Sequence, residues 1–437
     1  MHKLIIGFLL LFSFVSNAQT PAETYIDSLS YAFFNQYDYS ELKQLGKESL
    51  KQGIDFFYLR TRLGIVAFRE ANYEAAWHHF EKAEKMQSGD NVVLEYLYWS
   101  YVYTGQNDKA NALYEKYQSL VQSILPGIAN KQQSEIEIGT LQTQNQKNYF
   151  DQVLRKTGDA YAGGSFFSSM HYLRLYHEQR FKHNWRIFAG AGMYQVQSFS
   201  NVWTENQFPP PDSFSLSQSD PNVQLNFGLS KLFSKGIRAS FSASYYHERF
   251  TSNGQNTQQS LLSNNYYGVA AAISKRFKSF EPVVLVSVFD VDAADRIQVE
   301  AGITLFPFKK NNFFSFSSIG YANNQFTQTS GLIALQKLGY HFNKSTMVQT
   351  SFLYGELDNY MGNLGFVTLN TFDPVDWIGS VQAEFKKGKL TWLPGYQLQS
   401  RSSFYSQSQS LNNIEDYSNT EYSYFSHLIY LTLRYTP

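Results

Sequence analysis

The 437-residue chain contains no cysteine. That absence excludes disulfides, thiolate metal sites, a cysteine nucleophile and anchoring through a lipidated cysteine. Charge is scarce as well: Asp, Glu, Lys and Arg make up 16% of the residues, against about a quarter in an ordinary soluble domain. The 36 basic and 36 acidic residues cancel, which leaves no electrostatic footprint for nucleic acid. After the first few residues no run approaches the about eighteen apolar residues that a spanning helix needs. Any part that crosses a bilayer must therefore be a closed β-barrel. A Walker A loop, a Rossmann glycine fingerprint, an H-E-x-x-H pair and a G-x-S-x-G elbow are all missing.

Aromatic residues are abundant. The chain holds 32 Tyr and 37 Phe, while its mean hydropathy is only −0.36, so apolar groups are interleaved with polar ones. The first residues read as an export signal. Lys3 supplies a positive charge, Leu4 to Val15 an apolar stretch, and Ser16-Asn17-Ala18 a small-x-small cleavage site. Residues 1–18 are thus expected to be removed, leaving a mature chain that starts at Gln19.

From about Thr20 to Leu125 the apolar period is helical and repeats. Leu63-Gly64, Ala67, Tyr73, Ala76, Phe80 and Ala83 are echoed 34 positions later by Leu97, Tyr98, Tyr101, Asn107, Ala110, Tyr114 and Tyr117. A weaker echo 34 positions earlier falls on Leu29, Ser30, Phe33, Tyr39, Leu42, Gly46 and Ser49. Residues 19–128 therefore resemble the tetratricopeptide repeat family, with three units. Ser88 stands where that family closes a unit with proline, and Tyr98 where it has a small residue. Asp108 is expected to cap the last helix and Pro126-Gly127 to stop it. The resemblance implies a small solenoid that docks a partner protein on its concave side. The alternative is a set of helices that only folds or spaces the rest of the chain.

After a linker at 129–133 the period changes to two. Ile237, Ala239, Phe241, Ala243 and Tyr245 alternate with Arg238, Ser240, Ser242, Ser244 and Tyr246, placing the two sets on opposite faces of a strand. Tight turns such as 182–184 and 234–236 alternate with long polar loops such as Thr204–Asp220, the pattern of an outer-membrane barrel. The predicted strands are 134–145, 166–181, 185–199, 221–233, 237–252, 264–277, 282–293, 296–308, 313–325, 329–342, 346–359, 375–386, 390–405 and 420–436. The fold class is therefore α+β, a helical repeat array followed by an antiparallel barrel of fourteen strands over residues 134–437. Pro394 cannot donate to a ladder, so a bulge is expected there, and an irregular stretch would reduce the count to twelve. All six tight turns, and both ends of the barrel, fall on the periplasmic side in this reading, which also puts the helices in the periplasm. Tyr245, Tyr267, Trp377, Trp392 and Tyr435 are girdle candidates. In the last strand Phe425, Ile429, Leu431, Leu433 and Tyr435 share one face.

Alternation assigns Arg174, Glu178, Arg180, Arg238, Arg296, Glu300, Glu384 and Arg434 to the lumen. Two readings fit this mixed lining: a water-filled pore, or a set of charges paired across the interior, with inward loops able to close it. Six histidines and many serines lie in the barrel, yet no spacing selects a nucleophile and its base. Asp290, Asp292 and Asp295 cluster near a loop tip, where solvation is the plainest role, and adjacent His78 and His79 diverge on a helix. The expected function is an outer-membrane barrel, pore or anchor, held in outer-membrane lipid and docking a periplasmic protein through its repeats. No cofactor, metal or catalytic residue is assigned. The alternatives are an outer-membrane enzyme acting on lipid or glycan, and a plugged structural anchor.

Overall fold

A computed structural model describes residues 21–125, 132–143, 161–181, 184–204, 214–218, 222–233, 236–253, 259–277, 279–291, 294–307, 312–324, 329–343, 345–355, 357, 360–362, 364, 367–369, 373–408 and 418–437. The expected signal segment, Pro126-Gly127 and Asp292 lie outside these residues. The chain divides into two compact units, Met1–Ala129 and Asn130–Pro437.

The first unit is helical: α1 Pro21–Asn35, α2 Tyr39–Lys51, α3 Phe57–Arg69, α4 Tyr73–Met86, α5 Asn91–Tyr103, α6 Asn107–Lys116 and the short α7 Gln118–Val121. Three starts are capped by side chains, Asp38 on Glu41, Asn72 on Ala75 and Asp90 on Val93. Asp108 is not a cap. It occupies the first turn of α6, whose N-cap is Gln106, and there its charge favours the helix N-terminus. Small residues let the helices approach closely. A Cβ on Gly64 would lie 2.7 Å from the Phe80 ring, and one on Gly46 2.7 Å from Leu63. Ala76, Phe80, Ala83 and Ala110 are fully buried in this packing, while Tyr73 lies edge-on to Phe68 and beside Tyr103.

Polar contacts tie α4 to the helices that follow. Glu84 accepts from Lys116 Nζ at 2.8 Å and from the Tyr117 hydroxyl. Burial pushes the Glu84 carboxyl up, but these two donors outweigh it and hold it below the usual glutamate value. Tyr101 donates to Glu81, and burial with that carboxylate pushes its hydroxyl well up. Among the described residues no helix is long and apolar enough to cross a membrane.

The second unit contains β1 Gln132–Thr143, β2 Tyr161–Arg180, β3 Trp185–Thr204, β4 Phe214–Gln218, β5 Asn222–Leu232, β6 Ile237–Asn253, β7 Gln259–Lys275, β8 Phe280–Val291 and β9 Ala294–Leu305. It continues with β10 Phe313–Asn324, β11 Thr329–His341, β12 Thr346–Gly355, β13 Tyr360–Gly362, β14 Val367–Leu369, β15 Val375–Lys387, β16 Leu390–Ser408 and β17 Ser418–Tyr435. Fourteen of them close an antiparallel barrel, its seam made by β1 on β17 with Ser134 opposite Tyr435. The other three are β4, which adds to β3, and β13 and β14, which pair only with each other. Tight turns use positive φ at Asn184 (62°), Gly236 (74°) and Gly388 (61°).

Exposure alternates along the strands. Ile297 and Val299 are exposed, and Arg296, Gln298 and Glu300 between them are buried. An exposed aromatic row follows the tight turns through Phe233, Phe342, Phe385, Trp392 and Tyr435. A second row runs through Tyr267, Tyr321 and Tyr354, each eight residues from the tight-turn end of its own strand. At about 3.3 Å per residue and about 40° tilt the two rows stand roughly 20 Å apart, close to the apolar height of a membrane barrel.

Inward glycines make room for inward rings. Gly339 faces Phe314 and Gly228 faces Phe188 across the ladder, each so closely that a Cβ would lie 2.1 Å from the ring. The bulge expected at Pro394 does not occur. The ladder between β15 and β16 resumes in the same register on either side of Pro394, and the strand count stays at fourteen. The irregularities lie between Val375 and Trp377 and between Phe167 and Ser169. The proline needs no bulge because its neighbour β17 keeps continuous pairing, with Pro394 opposite Leu431. The strand predicted over 346–359 ends at Gly355, whose φ of 125° turns the chain off the ladder.

Candidate functional site in the barrel interior

The eight charges assigned to the lumen fall on the less exposed faces of their strands. Several stitch neighbouring strands. Arg434 donates to Glu135 at 2.6 Å and to Glu384 at 3.4 Å, joining β17 to β1 and reaching β15. Glu137 on β1 accepts from Thr432 at 2.7 Å, from Tyr172 at 3.1 Å and from Arg174 at 3.3 Å. Glu178 gathers Tyr176, Arg180 and Arg186 at 3.0–3.3 Å. Arg238 stands opposite Ser274, and Arg296 opposite Phe289. Arg434, Glu137 and Arg174 thus cluster around the seam, in separate bonded groups, whereas Arg238, Arg296 and Glu300 lie in the far sector.

That far sector is filled by the chain itself. Residues 357, 360–362 and 364 of the connection from β12 to β15 lie inside, where Gln298 of β9 grips the backbone of Met361 through both ends of its amide. Gln298 Nε2 donates to Met361 O at 3.2 Å, and Met361 N donates to Gln298 Oε1 at 3.3 Å. Ser242 of β6 donates to Leu364 O at 2.6 Å, and Tyr360 reaches Glu300. Met361 Cε would lie 2.2 Å from a Cβ on Gly268 and packs against Phe289 and Tyr266. Leu357, Tyr360 and Met361 are all buried. These residues form a plug in that sector of the interior.

The same connection is tied at its far end. Asp373 accepts from Phe167 N at 2.7 Å, Ser403 Oγ at 2.9 Å and the Tyr424 hydroxyl. Arg401, fully buried, donates to Asp373 O at 3.2 Å and lies 4.3 Å over the Phe167 ring. Above that cluster β2 pairs with β16, Gly164 opposite Tyr405.

On the seam side, toward the tight turns, a chamber of about 330 Å³ remains, lined by Glu135, Glu137, Arg174, Tyr194, Asn226 and Arg434. It is polar, and the charges around it form ion pairs.

Sequence reasoning missed Gln298, Met361, Asp373 and Arg401. One signal was present: 357–369 carries Leu357, Tyr360, Met361, Leu364, Phe366, Val367 and Leu369 in a connection that ought to be polar. On the outward face His177 Nδ1 lies 2.9 Å from Ser134 Oγ, and His171 Nδ1 3.1 Å from Thr140 Oγ1. Among the described residues neither imidazole has the carboxylate or amide partner that would orient a catalytic base. His78 and His79 diverge, one stacked on Trp77 and the other 3.2 Å from Arg60.

No protein-family model matches the chain, and no curated protein matches its sequence. Solved structures match it at low identity. The TodX deltaS2S3 mutant monoaromatic hydrocarbon channel is 7% identical, covers 73% of this chain and 94% of its own, and has a TM-score of 0.45. A Pseudomonas aeruginosa FadL homologue is 7% identical over 71% of this chain and 91% of its own, at 0.41. The translocator domain of the autotransporter NalP from Neisseria meningitidis is 10% identical over 77% of this chain and 99% of its own, at 0.30.

Proposed function

We propose that the chain is an outer-membrane barrel acting as a gated pore, whose helical unit is a tetratricopeptide-type array docking a protein partner in the periplasm. A closed fourteen-strand wall with an apolar outer band between aromatic rows supports residence in outer-membrane lipid. The observation that carries the gate is the grip of Gln298 on Met361. A barrel of this size has more lumen than side chains alone fill. Here an inserted segment, held by a handful of hydrogen bonds rather than by ladder pairing, closes the remainder. The charges of the pore lining, Arg174, Glu178, Arg180, Arg238, Arg296, Glu300, Glu384 and Arg434, set its polarity.

The docking reading rests on the repeat spacing and on the close helix approach at Gly64 and Phe80, which matches the roles those positions have in such arrays. Planar-bilayer recording of a variant with 357–369 replaced by a short Gly-Ser linker tests the pore. Stepwise conductance well above wild type is expected, and a silent variant that still folds refutes the gate. Deleting residues 20–125 should leave the barrel assembled while abolishing co-purification of the partner from envelope extracts. Unchanged co-purification refutes docking through the helices.

A further inference from the structure

Near the mouth opposite the tight turns, strand β2 changes neighbours. Its ladder with β1 runs only as far as Ser169 opposite Gln142, and a register shift follows between Phe167 and Ser169. Beyond the shift, residues 161–164 pair with 405–408 of β16, Gly163 opposite Ser406. At Tyr405 to Gln407 one edge of β16 still carries β17, Ser406 opposite Asn419, whereas β15 has ended with the pair of Val375 and Arg401. A strand offers two edges, so β2 takes the one that β15 leaves. To reach it β2 crosses the inner sides of β1 and β17, and Phe167 marks the crossing. That ring is fully buried, in one cluster with Leu141 of β1 and Leu428 of β17.

The arm that leaves the wall here is three strands wide. β3 keeps its ladder with β2 up to Thr204 opposite Tyr161, and β4 covers the far edge of β3, Ser217 opposite Ser198. β4 in turn lies beside β6. Around the wall β6 is the sixth strand from β16, after β17, β1, β2, β3 and β5, and so stands near the opposite side of a fourteen-strand barrel. The arm therefore spans the mouth from β16 to β6, with about 15 Å between β16 and β4 at about 4.8 Å per strand.

Two contacts tie this arm to the plug. Between Gly164 and Ser169, where neither β16 nor β1 pairs with β2, the Phe167 N–H donates at 2.7 Å to Asp373, at the β15 end of the plug connection. Arg401 fixes the same junction, lying 4.3 Å over the Phe167 ring while it donates to Asp373 O at 3.2 Å. The Phe167 ring also shares its buried cluster with Met361, the residue that Gln298 holds. We propose that the arm is a lid over this mouth and that lid and plug release together. Lifting the lid strips Asp373 of the Phe167 N–H, and withdrawing the plug uncovers the Phe167 ring, so each closed state favours the other. The proposal rests on the gated-pore reading, to which it adds a second closure and its link to the first.

The test reads amide exchange in the detergent-solubilised full chain, over 161–167 for the lid and 360–364 for the plug. Gln298→Ala loosens the plug directly and should speed exchange at least fivefold over both segments, with no change in the β2 ladder at 169–179. A disulfide gives the reverse test. Gly163→Cys and Ser406→Cys, in a chain with no other cysteine, should cross-link lid to β16 on oxidation. In the Gln298→Ala protein that bond should return exchange over 360–364 to within twofold of wild type, and reductant should undo the effect. Lid exchange unchanged by Gln298→Ala, a rise shared by 169–179, plug exchange unchanged by the disulfide, or cysteines that fail to cross-link each overturn the proposal. Single-channel current separates it from the reading beneath it. The disulfide should lower the open probability of Gln298→Ala at least fivefold, and undiminished current refutes the lid. A channel silent even when reduced counts against the pore, while exchange still decides the link. Heat-modifiable gel mobility, required of every variant, separates loosening from loss of fold.

Discussion

Replacing Gln298 by alanine should open the barrel. The side chain makes two hydrogen bonds to the Met361 backbone, one as donor at 3.2 Å and one as acceptor at 3.3 Å, and it also donates to Glu300. Alanine removes both backbone bonds and leaves an N–H and a C=O of the plug without those partners in the closed state. Once the plug has moved, water satisfies the same groups, so the whole loss falls on the closed form. At about 0.5–1.5 kcal/mol for each bond, the closed state loses about 1–3 kcal/mol, or about a 5–150-fold shift toward open. Single-channel recording at fixed voltage reads this as open probability. The wild type should open rarely, and Q298A should open at least fivefold more often with a similar unit conductance, because only one side chain of the wall is shortened. S242A removes one bond to Leu364 O and should shift the balance in the same direction by less. A fully folded Q298A whose open probability stays within twofold of wild type refutes the view that this amide latches the plug.

Three further outcomes follow from packing and titration. Gly64→Val places a branched side chain where the first carbon already lies 2.7 Å from Phe80. It should cost the helical unit about 1–3 kcal/mol, read as faster amide exchange over 57–86 with barrel exchange unchanged. Gly339→Ala should lower the temperature at which the barrel unfolds in gel-shift assays, because its Cβ would overlap the Phe314 ring. Gly379→Ala, whose nearest neighbour is Trp377 at 3.6 Å, should not, and equal effects would refute the close-approach account. Glu84 has a folded pKa below its unfolded value, so its contribution is complete above about pH 4.3 and is lost as pH falls through the lower folded value. Protection of the amides over 107–121, taken relative to their intrinsic exchange rates, should therefore fall below about pH 4.3, and E84Q should flatten that dependence.

Most of the strand plan could be read from local chemistry. A period of two survives in any strand with one face in an apolar medium, and Gly236, Gly388 and Asn184 mark turns because few other residues accept a positive φ. Errors came where a local rule met a nonlocal compensation. Pro394 lacks a donor, yet continuous pairing with β17 keeps its strand in register. Asp108 has the chemistry of a cap but stands inside the first turn.

The sequence by itself determined the class, helices followed by an alternating antiparallel barrel, and which charged side chains share the less exposed faces of the strands. Both are short-range properties, set by the periods of helix and strand. The tertiary structure alone decided that the β12–β15 connection enters the lumen, because its anchors are Gln298, Ser242 and Glu300. Only barrel closure brings those residues to within hydrogen-bonding reach of it.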